Sequence, residues 1–415
     1  VHITPASRRN VFAYFFAFLT AEAATQILTV AVGWTVYGIN HRPFDLGLVG
    51  LAIFAPQLLL VFVTGQAADR YSRKTLVVCS ALGVACCAFA FAAAALADVR
   101  SLPLMLAILA AMGVARAYGS PAERSILVNI VGTTDYMRIQ ARYSSAREIV
   151  VIAAPALGGT IVAFSTIAAF TVSGVFTLAA AIGFALIVLP ASVTPTGRAL
   201  SAGSALDGVR FMLSRPIVLG AISLDLFAVL FGGVTSILPV YADQILHVGA
   251  VGFGFLRSAS GIGASLMAIY LSTRTPNKHV GRTMLTAVAW YGVAIIVFAY
   301  SRSLWLSVLA LAATGAFDMI SVVIRRGLVQ LNTPDEMRGR VNSIESVFIG
   351  ASGQLGAFES GTAMQLLGPI PSVALGGLAT IAVVAVWAKV FPALRKANRL
   401  DSGIDTEVET ITQPE

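Results

Sequence analysis

Four ionisable residues stand inside long apolar runs: Glu22, Arg116, Asp225 and Asp318. A charge facing hydrocarbon costs at least about 2.5–3.5 kcal/mol, so such groups face a partner, a polar interior or water. Their spacing is regular. Arg116 and Asp318 lie 202 residues apart, and aligning Tyr37 with Tyr241 brings Glu22 within one position of Asp225. The chemistry this pattern offers is proton exchange. Desolvation favours the neutral form of a carboxylic acid and a neighbouring cation favours the charged form. Glu22, Asp225 and Asp318 are thus candidate proton carriers, with Arg116 as their tuning partner. Inter-helix salt bridges that only fix the fold are the alternative reading of the same residues. Arg147, Glu148, Arg257, Glu345 and Glu359 form a second rank. Arg257 is suited to pair a carboxylate or attract an anionic small molecule.

Composition shows what must hold these residues. Hydrophobic residues make up 57% of the 415 and charged residues 12%, with a mean hydropathy of +0.83. A soluble domain carries about 25% charge, so most of this chain is solvated by lipid. A spanning helix needs about 20 mostly apolar residues. The runs that qualify are 11–39, 46–68, 75–97, 102–123, 142–164, 167–190, 217–241, 250–272, 283–300, 303–324, 341–367 and 370–391. The expected fold is all-α and integral to a membrane, with twelve transmembrane helices. The polar stretch 191–216 is read as a cytoplasmic linker between two six-helix bundles, 1–190 and 217–392, and 393–415 as a solvated cytoplasmic tail. The run after Arg8 and Arg9 is too long for a cleaved signal peptide and is read as a retained first span.

Of the 28 Lys and Arg, 22 fall on one side of these spans, against Arg42, Arg100 and Arg302 on the other. That bias makes the first side cytoplasmic and places both termini there. The net charge of +8 is therefore a topology signal, which argues against nucleic acid as a partner. Cys79, Cys86 and Cys87 share one apolar run, and His2, His41, His247 and His279 are scattered at segment ends. No disulfide framework, metal site or cofactor is expected, and no nucleophile–base constellation argues for an enzyme.

Residues 65–74 read Gly-Gln-Ala-Ala-Asp-Arg-Tyr-Ser-Arg-Lys between spans 2 and 3. A turn carrying Asp69, Arg70, Arg73 and Lys74 cannot lie in hydrocarbon. Gly65 would let a neighbouring helix approach closely, Asp69 would pair a base or cap a helix N-terminus, and the three bases would face anionic lipid. A plain positive-inside loop explains the bases but not the Gly and Asp spacing. The two halves also repeat. Leu127-Val128 leads through Asp135 and Met137-Arg138 to Arg142, as Leu328-Val329 leads through Asp335 and Met337-Arg338 to Arg340, and Gly113 matches Gly315. The loop after span 8, Arg274 to Arg282, has no Asp in the place of Asp69.

The stretch Gly65–Lys74 resembles, position by position, the G-x-x-x-D-R-x-x-R-K signature between helices 2 and 3 of major facilitator superfamily transporters. Arg116 and Gly119 resemble the R-x-x-x-G motif of helix 4, with the Gly one place early. Ala154-Pro155-Ala156-Leu157-Gly158-Gly159 resembles the G-P-x-x-G-G antiporter motif of helix 5, with Ala154 in place of the first Gly. Gly33–Tyr37 through Arg73, Arg338–Ser343, Phe348–Ser352 and Phe358–Gly361 resemble the enterobactin-exporter-like and macrolide-efflux-like branch. The resemblance implies two pseudo-symmetric six-helix bundles working by alternating access. It also implies that Gly65, Asp69, Arg70, Arg73 and Lys74 latch a cytoplasmic gate, and that Arg116 serves proton coupling. Pro155, Gly158 and Gly159 would kink helix 5 and close its packing on helix 8. Gln26, Trp34, Phe227, Phe231, Arg257 and Glu359 become candidate substrate contacts in a central cavity. The alternative for Arg116 is a side chain that snorkels to the cytoplasmic interface, and Pro and small residues are frequent in membrane helices in any case.

The implied function is export of a small amphipathic, drug-like or siderophore-like molecule by proton antiport in a bacterial inner membrane. Substrate, protons and the lipid bilayer would be the partners of a monomer. Phe15, Phe18, Trp34, Phe54, Phe227 and Phe231 favour an amphipathic substrate. A facilitator or proton-coupled importer of a polar metabolite is the first alternative; it predicts neutral amides and hydroxyls without repeat-related carboxylates. A non-transporting membrane sensor is the second, and predicts an added cytoplasmic domain or a long central loop.

Overall fold

A backbone in hydrocarbon has no hydrogen-bond partner but itself, so each long apolar run becomes a helix. The computed structural model describes residues 5–188, 202–274 and 278–400, and among these there are helices and no strands. The first half contains α1 (Pro5–Asn40), α2 (Pro43–Leu59), α3 (Val61–Arg70), α4 (Arg73–Leu96), α5 (Leu102–Phe164) and α6 (Thr166–Leu186). The second contains α7 (Ala202–Ser214), α8 (Pro216–Gly232), α9 (Leu238–Val240), α10 (Gly249–Thr273), α11 (Val280–Tyr300), α12 (Leu304–Leu331), α13 (Asp335–Leu367), α14 (Pro369–Val390) and α15 (Pro392–Lys396). Between α8 and α10 the helix tightens to a 3₁₀ turn at Val234–Ile237 and loosens to a π turn at Tyr241–Ile245. Gly249, at φ +62°, then turns the chain into α10, in a conformation that suits glycine.

Among the described residues nine helical segments are long and apolar enough to cross a membrane. The other three expected spans are helical but less apolar. Residues 46–68 divide at Leu60 into α2 and α3, while α10 and α13 have the length but carry Gly, Ser and charged side chains.

Helix α5 holds two expected spans in 63 continuous helical residues. A straight helix of that length would be about 95 Å long, three times the hydrocarbon thickness. It would hold Arg116 and Arg147 roughly 46 Å apart. Yet Arg116 reaches Thr25 and Arg147 reaches Glu22, less than one turn apart on α1. The helical chain must therefore fold back on itself between the two arginines, and spans 4 and 5 run antiparallel as expected.

The chain forms two compact units, Val1–Ala199 with Pro239–Ser258, and Leu200–Leu238 with Ala259–Glu415. In the first, Ala17, Val77, Leu127, Ala180 and Phe184 form a core. Small residues let backbones close in, the usual glue of membrane helices. A Cβ at Gly113 would run into the Ile53 backbone oxygen of α2, and one at Gly159 into that of Ala250 in α10. In the second unit, Gly315, the repeat partner of Gly113, faces the Ser260 backbone oxygen of α10 in the same manner.

Two stretches expected to be solvated are packed. Residues 189–201 of the expected linker lie outside the described residues, but its remainder is the helix α7. That helix buries Met212 against Val218, Ile222, Val329 and Val341 and pairs Asp207 with Arg340 at 3.5 Å. Its apolar face made a loop the costlier choice. The tail likewise begins packed: Leu394 is fully buried, Gly281 donates its N–H to the Ala397 oxygen, and Asn332 Nδ2 donates to the Leu400 oxygen. Residues 401–415 lie outside the described residues.

Candidate functional site: two buried charge networks

In the first unit the acid of α1 finds its cation on the returning limb of α5. Arg147 Nε donates to Glu22 Oε2 at 2.9 Å, and Gln26 Nε2 donates to Glu22 Oε1 at 2.8 Å, one turn along the same helix. This pair is only partly shielded, with Arg147 44% exposed. Arg116, expected as the partner of the carboxylates, donates instead to Thr25 Oγ1 at 3.3 Å. Glu123 is the foremost charge facing it, Glu22 the next. Two acids and two bases balance here.

The second unit does not balance. Asp225 of α8 lies 3.5 Å from Arg325 of α12, and the same guanidinium donates to Glu345 of α13. Arg325 is 3% exposed. It was counted from the sequence among the cytoplasmic loop bases, and that is corrected: it is a buried bridge between three helices. Asp318, two turns earlier on α12, is half-buried and makes no hydrogen bond or ion pair among the described residues. It nevertheless lies near enough to Asp225, Arg325 and the exposed Arg326 to feel their charges. Tyr291 of α11, whose hydroxyl donates to the Gly232 oxygen at 2.9 Å, faces both aspartates. Three acids thus gather round one buried cation. A proton is the least costly way to lower that excess of buried negative charge.

Sequence reasoning ranked Arg147 and Glu345 second and missed Arg325. A signal existed. Arg116 and Glu123 are spaced by seven positions, and so are Asp318 and Arg325, 202 residues on. Seven residues make two helical turns, so each pair shares a face, and the signs are inverted between the halves.

The other candidates scatter. Arg73 and Lys74 open α4, whose N-cap Ser72 accepts from the Thr75 N–H at 3.1 Å. No acid sits in that first turn, so two bases face the positive end of a helix dipole, and a counter-charge from outside the helix is needed. Arg70, in the last turn of α3, is favourably placed. The Asp69 side chain lies outside the described residues. Gly65 is a correction, for no described atom comes within 4 Å of a Cβ built there, and no close approach requires glycine. Pro155 sits inside α5 without ending it, and Gly158 abuts Ile27 of α1, 3.1 Å from a built Cβ to its Cα. Phe227 and Phe231 stack at 6.3 Å, and Phe227 also meets Trp387. Phe15 and Phe18 join Tyr14 and Tyr143 in an aromatic cluster of the first unit. Trp34 stacks on Phe253. Glu359 lies beside Ser360, which donates to the Gly233 oxygen at 3.1 Å.

A helical membrane fold with paired halves and ionisable groups buried in its spans defines a membrane transporter. The profile of the Major Facilitator Superfamily matches residues 12–357, and the chain belongs to that family. Among curated relatives, the enterobactin exporters of Escherichia coli O1:K1 and of Citrobacter koseri are 25% and 26% identical over 392 residues, 92% of either chain. Among solved structures, a bacterial homologue of the human lysosomal transporter Spinster superposes with a TM-score of 0.70 at 14% identity, covering 97% of this chain and 98% of that one. The nucleoside transporter NupG gives 0.65 at 15% identity, covering 95% of this chain and 100% of that one. These likenesses establish the fold and the multi-pass membrane character.

Proposed function

We propose that the chain exports a small amphipathic molecule from the bacterial cytoplasm across the inner membrane, by alternating access coupled to proton antiport. Asp318 is the carrier in this reading. The observation that carries it is the imbalance of the second unit: Asp225 and Glu345 share Arg325, while Asp318 has no ion-pair partner among the described residues. Of the three carboxylates singled out by the repeat, Glu22 and Asp225 are held by arginines, and Asp318 is the one with no salt bridge to break when a proton binds. Arg325 then sets the local field, and Arg116 tunes the first unit against Glu123. The direction of transport rests on the relatives named as exporters and on the resemblance of Gly33–Tyr37, Arg338–Ser343 and Phe358–Gly361 to the exporter branch.

A proton taken up on the outer side and released inward must prefer one state of the transporter over the other, as any coupled ligand must. Protonation of Asp318 would weaken its repulsion from Asp225 and so favour closer packing of α12 with α8. The test combines two steps. A thermal-shift screen against siderophores, macrolides, sugars and amino acids selects a ligand; exchange of that ligand for protons is then followed in proteoliposomes under an imposed pH gradient. Asp318→Asn is expected to reduce gradient-driven exchange to the passive leak while ligand binding persists. Unchanged exchange in that variant removes Asp318 from the coupling step, and selection of only sugars or amino acids favours the metabolite-transport alternative.

A further inference from the structure

The span of α10 holds a guanidinium that no side chain among the described residues neutralises. Arg257 is half-buried, its Nε is shielded and has no hydrogen-bond partner, and no charged side chain among the described residues faces it. It lies about 12 Å along α10 from Gly249, where the helix begins, which is deep in a hydrocarbon core of about 30 Å. Arg keeps its charge under all physiological conditions, so it cannot escape the cost of burial by losing a proton. Unpaired intramembrane charges of this kind mark the paths of ligands. Arg147 and Arg325 each have a carboxylate; Arg257 has none.

Its surroundings narrow the ligand. Phe253 is one turn earlier on α10, and residues four apart share a helix face. The Phe253 ring stacks on Trp34 of α1 with centroids 6.3 Å apart and planes 22° from parallel. Gly33 lies at the same contact, where a Cβ would meet the Phe253 ring at an ordinary 3.6 Å. The backbone is equally close on the next face, where Gly254 meets Pro155 and Gly159 of α5. Phe253 is 1% exposed, so the aromatic face open to a ligand is that of the half-buried Trp34, which Phe253 backs one turn from Arg257, all within the first unit. That pairing suits a ligand with a ring at one end and an acid at the other. The ring stacks, and the guanidinium takes the acid with two parallel hydrogen bonds.

We propose that Arg257, with the Trp34–Phe253 stack, recognises an anionic group on a flat, ring-bearing substrate. The inference rests on the transport reading above and gives its amphipathic substrate an acidic head. Equilibrium binding of 2-naphthoate and of its neutral isostere 2-naphthamide to the purified protein, without any pH gradient, tests it. The wild type should bind the acid at least about tenfold more tightly, the order of difference expected for a charge-assisted bidentate contact. Arg257→Gln should abolish that preference and leave binding of the amide unchanged. Arg257→Lys, which keeps the charge and the fold but loses the fork, should retain part of it. Equal affinity of the wild type for both probes, or an undiminished preference in both variants, overturns the assignment. Nanodiscs of phosphatidylcholine and of phosphatidylglycerol separate the sources of the anion. The preference should be the same in both; its loss in phosphatidylglycerol alone means that a lipid phosphate occupies Arg257, and the substrate assignment falls. Failure of proton exchange with naphthoate binding intact would instead count against the transport reading and leave the anion site standing.

Discussion

The two units share a repeat but use charge in opposite ways. In the first, Glu22 meets Arg147 and Glu123 faces Arg116, so each of these acids has a base among the described residues, and Arg147 is 44% exposed. In the second, Asp225, Asp318 and Glu345 surround Arg325, which is almost fully enclosed. The position that is Arg116 in one half is Asp318 in the other, and Glu123 becomes Arg325. Duplication preserved the helix face and the depth while the signs were exchanged.

The comparison predicts unequal stability effects. The largest should follow removal of Arg325. Arg325→Leu strands two buried carboxylates, and breaking a buried pair in this way costs about 3–5 kcal/mol. Unfolding of the purified protein in detergent should show it, and the companion changes Asp225→Asn and Glu345→Gln should recover much of the loss. If Arg325→Leu is no worse than a surface change, the enclosed bridge is not structural and the contrast between units fails. Next come the glycines that both units use alike. Gly315→Val and Gly113→Val should each cost about 1–3 kcal/mol by overpacking, because each faces a neighbouring backbone oxygen. Similar losses would show that the repeat survives in packing where it has diverged in charge. The smallest effect belongs to Glu22→Gln. Its partner is nearly half exposed, and such pairs contribute about 0–1 kcal/mol, so unfolding should barely shift. A loss comparable to that of Arg325→Leu would show the first network to be as enclosed as the second.

Much of the fold was legible in the residues themselves. Hydropathy marks twelve runs, and nine of them are helices long and apolar enough to cross a membrane among the described residues. The antiparallel return of spans 4 and 5 was legible as two separate runs, and the contacts of Arg116 and Arg147 on α1 demand it despite unbroken helix. The site was legible only in part. The repeat singled out Glu22, Arg116, Asp225 and Asp318, because a charge in a long apolar run is conspicuous. It could not pair them. Arg325 sits next to Arg326 near the end of a span, where one exposed and one buried arginine look the same in a sequence. Arg147, near the start of an expected span, was ranked second because nothing in the sequence shows that it reaches Glu22. Solvated tails and linkers were misjudged where a few apolar side chains, Phe211, Met212 and Leu394 among them, found a groove.

The sequence by itself determined that this chain crosses a membrane as helices, that its halves repeat, and that Glu22, Arg116, Asp225 and Asp318 stand within its apolar runs. The cost of polar backbone and of charge in hydrocarbon leaves no other arrangement. Only the tertiary structure decided who neutralises whom. Ion pairing acts over a few ångströms between side chains far apart in the chain, and it depends on helix rotation and depth that hydropathy does not encode. On that account Glu22 belongs to Arg147, Asp225 and Glu345 belong to Arg325, and Asp318 and Arg257 are left without a salt bridge among the described residues.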